Sequence, residues 1–184
     1  MSCTKQLRTI TSRTMTATAD DPPIERSRTF SWSDPADLAA VGRDMAGIDV
    51  MRAVIDGRLP KPPIADLIDA SLIAVDEGTS TFALEPAEWM YNPIGFVHGG
   101  IAATLLDSCM GCAVHTLLPA GVGYTTTDLQ IRFVRGLTAT TGRVLATGRV
   151  LHPGRRLMTV EGTLTTEDDA RLMAHGSCAC IVLS

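Results

Sequence analysis

The sequence predicts an α+β fold: a mainly antiparallel sheet wrapped on one long central helix, with a helical arm at the N-terminus. Three observations carry this. The stretch Ile101 to Leu118 is apolar and long enough for several helical turns, but Thr104, Asp107, Ser108, Gly111 and His115 interrupt it too often for a membrane span. Two strand-like runs precede it and four follow, joined by short turns, which makes the pairing mainly antiparallel. Upstream of residue 64 the pattern is helical and then proline-rich.

Residues 1–30 are rich in Thr and Ser, carry Lys5, Arg8 and Arg13, and have no acid before Asp20. Organelle transit peptides share that composition, and Met15 offers an alternative start. With no apolar core for a secretory signal, the segment reads as a disordered tail on a cytoplasmic protein. Residues 31–63 form the arm. Pro35 opens a helix through Met45, with Ser33 or Asp34 as N-cap, and a second helix runs from Ile48 to Ile55. Asp56-Gly57 ends it, and Pro60, Pro62 and Pro63 predict an extended link.

The domain proper spans residues 64–184. Ser71–Asp76 and Thr79–Leu84 flank the hairpin turn Glu77-Gly78, and Glu85–Gly95 reads as a loop. The central helix runs from Gly99 to Leu117 and stops at Pro119-Ala120-Gly121. Thr126–Val134 alternates, with Leu129, Ile131 and Phe133 on one face and Asp128, Gln130 and Arg132 on the other. Thr141–Leu151 and Leu157–Thr165 flank the turn His152–Arg155. Glu167–Asp169 turns into Arg171–Leu183. One helix buries only one sheet face, and this helix is apolar nearly all round. Its far side needs a cover, for which self-association is the simplest source.

Composition excludes several classes. The net charge of −4 argues against nucleic acid as a partner. Five cysteines are an odd number in a chain that needs no disulfide frame, and Cys109-x-x-Cys112 has no second half with zinc spacing. Cys109, Cys112, Cys178 and Cys180 are expected as small buried hydrophobes. His115 is assigned to helix packing, His152 to a turn and His175 to a strand. No metal or cofactor is expected.

Two features point to chemistry. Val97-His98-Gly99-Gly100 places two glycines where a loop becomes a helix. Unpaired N–H groups and a partial positive charge suit a carbonyl oxygen that turns negative, although two glycines also permit a tight turn with no further role. Asp107 lies among Leu105, Leu106, Met110 and Ala113, where a carboxylate is costly unless it is paired or faces a cavity. It is either a reacting group or a structural acid bonded to Thr104 or Ser108. Gly99 and Asp107 are roughly 12 Å apart along one helix, too far to act on one carbonyl. Two such helices running antiparallel would bring one chain's Gly99 beside the other's Asp107.

The run Asn92-Pro93-x-Gly95-x-Val97-His98-Gly99-Gly100-x6-Asp107 resembles the signature of hot-dog-fold thioesterases of the PaaI (phenylacetate-pathway) type. Gly123-Tyr124-Thr125-Thr126-Thr127-Asp128-Leu129 and His152-x-Gly154-Arg155 extend the likeness, which covers about Ile64 to Leu183. The resemblance implies hydrolysis of acyl-CoA by a homodimer or dimer of dimers with shared sites. It implies that Asn92 positions water or thioester, that His98 orders the turn, and that the Gly99 amide polarises the carbonyl. Asp107 of the facing subunit would be general base or nucleophile, supported by Thr126, with Thr125 as the rival one register step away. Gly100 and Thr125 would line the substrate site. Arg135, Arg155 and Arg156 are the candidates for the phosphates of CoA. Asp168-Asp169-Ala170 departs from the family, which more usually has glycine in that turn. Two rival functions are a hot-dog acyl-CoA hydratase or dehydratase and a non-catalytic acyl-CoA-binding module. An acid on the helix, with Asn92 ahead of the motif, favours hydrolysis.

Overall fold

A computed structural model describes residues 25–183. The expected tail therefore lies outside the described residues up to position 24. Its last part touches the domain: the Arg26 guanidinium pairs with Glu88 at 3.1 Å, and Arg28 lies 3.6 Å over the Trp89 ring.

Helix α1 (Pro35–Gly42) is capped by Asp34, whose carboxylate accepts from the Ala36 N–H at 2.9 Å. It stops three residues short of the expected Met45. Helix α2 spans Gly47–Ile55, and the arm continues into a short helix, α3 (Pro63–Ile68). The expected extended link is thus correct only up to Pro62. Pro63 occupies a first-turn position, where a missing N–H costs nothing.

Strands β1 (Ala70–Asp76), β2 (Thr79–Leu84), β3 (Gly123–Phe133), β4 (Val144–Pro153), β5 (Leu157–Thr166) and β6 (Leu172–Leu183) form one antiparallel sheet in the order β1-β2-β4-β5-β6-β3. Helix α4 (Gly99–His115) lies across it, the hot-dog arrangement expected above. A short 3-10 turn, Glu88–Met90, interrupts the loop after β2. No helix among the described residues is long and apolar enough to cross a membrane.

The sheet holds the helix in a trough of small residues. Ser80, Gly148, Gly162 and Gly176 stand side by side on β2, β4, β5 and β6. A Cβ on Gly148 would sit 2.6 Å from the Cys109 carbonyl carbon, and one on Gly162 would sit 2.9 Å from Met110 Cγ. Ser80 Oγ donates to the Cys109 carbonyl at 2.7 Å. Leu105, Leu106, Cys109, Met110 and Val114 are fully buried against the sheet. Cys178 and Cys180 face the same core, their sulfurs 3.8 Å apart.

The far side of α4 is covered in part by this chain's own arm. Gly47 N donates to the Leu118 carbonyl at 3.0 Å, and Val50, Met51 and Ala53 are buried beneath α2. Along the N-terminal half of α4, Ala103, Thr104, Asp107 and Ser108 stay half-buried. Strand β3 is a sheet edge, with Leu129 and Phe133 exposed. These two uncovered surfaces are where self-association would apply.

Strand β3 carries a bulge at Thr127: Thr126 pairs with Cys180, and Asp128 already pairs with Ala179. Side chains fill the broken ladder. Thr127 Oγ1 donates to the Ala179 carbonyl at 3.0 Å, and Asp128 Oδ1 accepts from the Ala179 N–H at 3.2 Å.

The β5–β6 turn resolves the departure noted at Ala170. Ala170 has φ 51, and Asp169 Oδ1 accepts from Thr166 Oγ1 and from the Arg171 N–H. An L side chain in that left-handed region is strained by about 1–2 kcal/mol, which glycine avoids at some entropic cost to folding. Ala170→Gly is therefore expected to stabilise by about 0.5–1 kcal/mol and raise the melting midpoint by roughly 1–4 °C. An unchanged or lower midpoint in thermal unfolding would show that this turn holds no strain.

Candidate active site

The site starts at the entry to α4. His98 is the N-cap: its Nδ1 accepts from the Gly100 N–H at 2.9 Å, and its own N–H donates to the Met90 carbonyl at 2.8 Å. An accepting Nδ1 leaves the ring proton on Nε2. With Gly100 so engaged, the Gly99 N–H is the donor at the helix start with no acceptor among the described residues. A Cβ at Gly99 would come 3.2 Å from Phe133 Cζ, so packing as well as ligand access asks for glycine here.

Asn92 shapes the loop before the helix. Its Oδ1 accepts from the N–H groups of Ile94 and Phe96, at 3.1 and 3.2 Å, which orients the amide and turns Nδ2 away from them. Tyr91 and Val97 bridge the loop, and Tyr91 Oη accepts from the Ala139 N–H at 2.7 Å. Asn92, Gly99, Ala102, Phe133 and Arg135 line a cavity of about 310 Å³.

Two turns along α4, the Asp107 carboxylate accepts from Thr126 Oγ1 at 2.9 Å. The structural partners considered for Asp107 are otherwise placed: the Thr104 hydroxyl donates to the Gly100 carbonyl at 2.9 Å, and Ser108 lines a cavity. That second cavity, of about 330 Å³, is bounded by Asp107, Ser108, Cys112, Tyr124, Thr125 and Thr126. Thr126 rather than Thr125 reaches the acid, because Thr126 lies on the helix side of β3.

One chain therefore brings the predicted residues together in two groups. Asn92, Gly99 and Arg135 share one cavity, and Asp107, Thr125 and Thr126 share the other. Gly100 is committed to the His98 cap. Arg155 and Arg156 are exposed in the β4–β5 turn and line neither cavity. Arg135 reaches its cavity with Nη1 donating to the Leu172 carbonyl at 2.7 Å.

Sequence reasoning passed over Tyr124 and Cys112. Both are polar-tipped groups beside Asp107 in an apolar setting. Burial pushes the Cys112 thiol up to about 12 and holds the Tyr124 phenol well above its usual range. Tyr124 lies two residues before Thr126 on the same face of β3, and that alternation was the available signal.

A family model described as the thioesterase superfamily matches residues 94–173, a span that holds the helix start and Asp107. Among solved structures, a conserved protein of Pseudomonas aeruginosa is 28% identical, with a TM-score of 0.62 over 67% of this chain and 95% of that one. A phenylacetic acid degradation-related protein of Ralstonia eutropha JMP134 is 26% identical, with a TM-score of 0.64 over 71% and 98%. The E. coli PaaI protein, from the phenylacetic acid degradation operon, shares the fold at 17% identity, with a TM-score of 0.66 over 77% and 96%. No curated protein matches the chain. The helix laid across the sheet is the hot-dog fold of these neighbours, residues 94–173 match the thioesterase superfamily, and the protein is a thioester hydrolase.

Proposed function

We propose that the protein hydrolyses acyl-CoA thioesters to a free acid and CoA, in the PaaI manner, at sites shared between two subunits. The observation that supports this most is the division of the site residues on one chain. A donor group (Gly99 with Asn92) and an acid group (Asp107 with Thr126) line separate cavities. Antiparallel pairing of two α4 helices would join each donor half to the acid half of the partner subunit.

In that arrangement the thioester carbonyl lies at the N-terminus of α4. The Gly99 N–H and the helix dipole stabilise the oxyanion that forms on attack. Asn92 Nδ2 orients the thioester or the water. Thr126 donates to Asp107 Oδ1 and so leaves Oδ2 directed at the reacting carbon or at water. The carboxylate either adds to the carbonyl or removes a proton from the attacking water. The C–S bond then breaks and CoA leaves as the thiolate, which takes up a proton; where the carboxylate itself has added, water then hydrolyses the acyl–Asp107 anhydride to free the acid and restore the carboxylate. Arg135 would face the CoA side. Arg155 and Arg156 would meet its phosphates only if assembly brings their turn to the site. The reaction needs no cofactor, and the reading carries with it a cytoplasmic place of action.

Mixed dimers test the shared site. Asn92→Asp keeps the acceptor that holds the loop but loses the Nδ2 donor, and Asp107→Asn removes the acid. Each variant alone is expected to be strongly impaired in thiol release. A mixed dimer would collect both lesions in one site and neither in the other, restoring up to about half of wild-type activity. Mixed dimers verified by mass that stay inactive would sink the shared site. Loss of the double bond without thiol release would indicate a hydratase, and acyl-CoA binding without turnover would indicate a binding module.

A further inference from the structure

The acid half of the site continues into a larger open groove that the arm borders. A cavity of about 520 Å³ lies between α1, α2, the C-terminal turns of α4 and the start of β3. It shares Pro62, Cys112 and Tyr124 with the Asp107 cavity, so the two meet at those side chains. Tyr124 packs against Gly111, where a Cβ would come 2.9 Å from its hydroxyl, and its ring lies 5.7 Å from that of His115. Leu38 of α1 and Met51 of α2 line its outer side.

The lining explains what fits. The side chains around it are mainly apolar, and its one charged member, Arg43, is exposed to solvent. Burial lowers the His115 pKa and raises those of Cys112 and Tyr124, so these groups carry no charge at neutral pH. Such a space favours a hydrocarbon over a hydroxylated or charged group. Its length follows from the helix beside it. From Asp107 to His115 is eight residues, roughly 12 Å, the reach of an extended acyl chain of about ten carbons.

We propose that this arm-lined groove holds the distal end of the acyl group, making this a thioesterase selective for unbranched, medium-chain acyl groups of about eight to ten carbons. The proposal rests on the acyl-CoA reading above and adds to it the substrate class and a function for the arm. An aryl group such as phenylacetyl would reach only to about Cys112, and would gain no more than a hexanoyl chain.

The test is a chain-length series, from acetyl- to palmitoyl-CoA with phenylacetyl-CoA included, on the wild-type full chain and on Leu38→Trp. Ala39→Trp, on the same largely exposed helix, serves as a second variant. Wild-type kcat/KM is expected to climb about threefold to fourfold per added methylene up to about ten carbons, then level or fall. Either tryptophan should cut the decanoyl-to-butyryl ratio at least tenfold by filling the cavity. A flat wild-type profile, or a ratio unmoved by both folded variants, would overturn the proposal. If no thioester is cleaved at all, the hydrolase reading fails separately, and calorimetric binding decides the cavity. Tighter decanoyl-CoA than butyryl-CoA binding, lost in Leu38→Trp, supports it, and equal binding refutes it.

Discussion

Asp107→Asn is expected to fold as the wild type and to lose about 10²–10⁴ in kcat, the usual contribution of a general acid–base group. Asparagine keeps the shape of the side chain and an oxygen that can still accept from Thr126 Oγ1. The position is half-buried beside a cavity, so removing its charge relieves rather than creates an unpaired buried ion. The loss should therefore appear in turnover and not in the thermal midpoint. The decisive measurement is kcat at saturating acyl-CoA alongside a melting curve. Wild-type turnover in a folded Asp107→Asn protein would remove Asp107 from the mechanism, whatever the geometry around it.

Gly148→Ala is expected to have the largest effect on stability of any single methyl added to the sheet, about 3 kcal/mol or more. The reason is what that methyl meets. It would press on the backbone of α4 at Cys109 and Met110, at the middle of a helix held down by Ser80. Backbone at that depth cannot swing aside as a side-chain tip can, so helix and sheet must part. Gly123→Ala is the control, because its Cβ would meet Leu183 at an ordinary 3.9 Å. That variant should stay within about 0.5 kcal/mol of wild type. Urea unfolding of the pair decides the matter. Equal midpoints would mean that the trough does not set the helix-to-sheet distance.

The layout was legible because its signals are long. Seventeen residues of apolar helix and strands of six to twelve residues give repeated evidence of their period. Helix α3 has only six residues, too few for a periodic pattern, and its Pro63 reads equally as part of an extended link. The site divides in the same way. Asp107 and the helix start stood out because a carboxylate and a glycine pair are anomalous in an apolar setting. Thr126 could not be separated from Thr125 by pattern, since the choice depends on the register of β3. Tyr124, Cys112 and the space beneath the arm acquire meaning only when elements far apart in the chain are packed together.

The bulge at Thr127 bears on how this site could be redesigned. Thr126 and Phe133 are an odd number of residues apart, yet both turn toward α4, one at Asp107 and the other at Gly99. Thr127 is a phase shifter that lets a single strand address both ends of the helix from the same side. Each end can then be tuned in steps of two residues on its own side of Thr127. A graft that copies the strand as a plain alternating template would carry one half-site correctly and present the other to solvent.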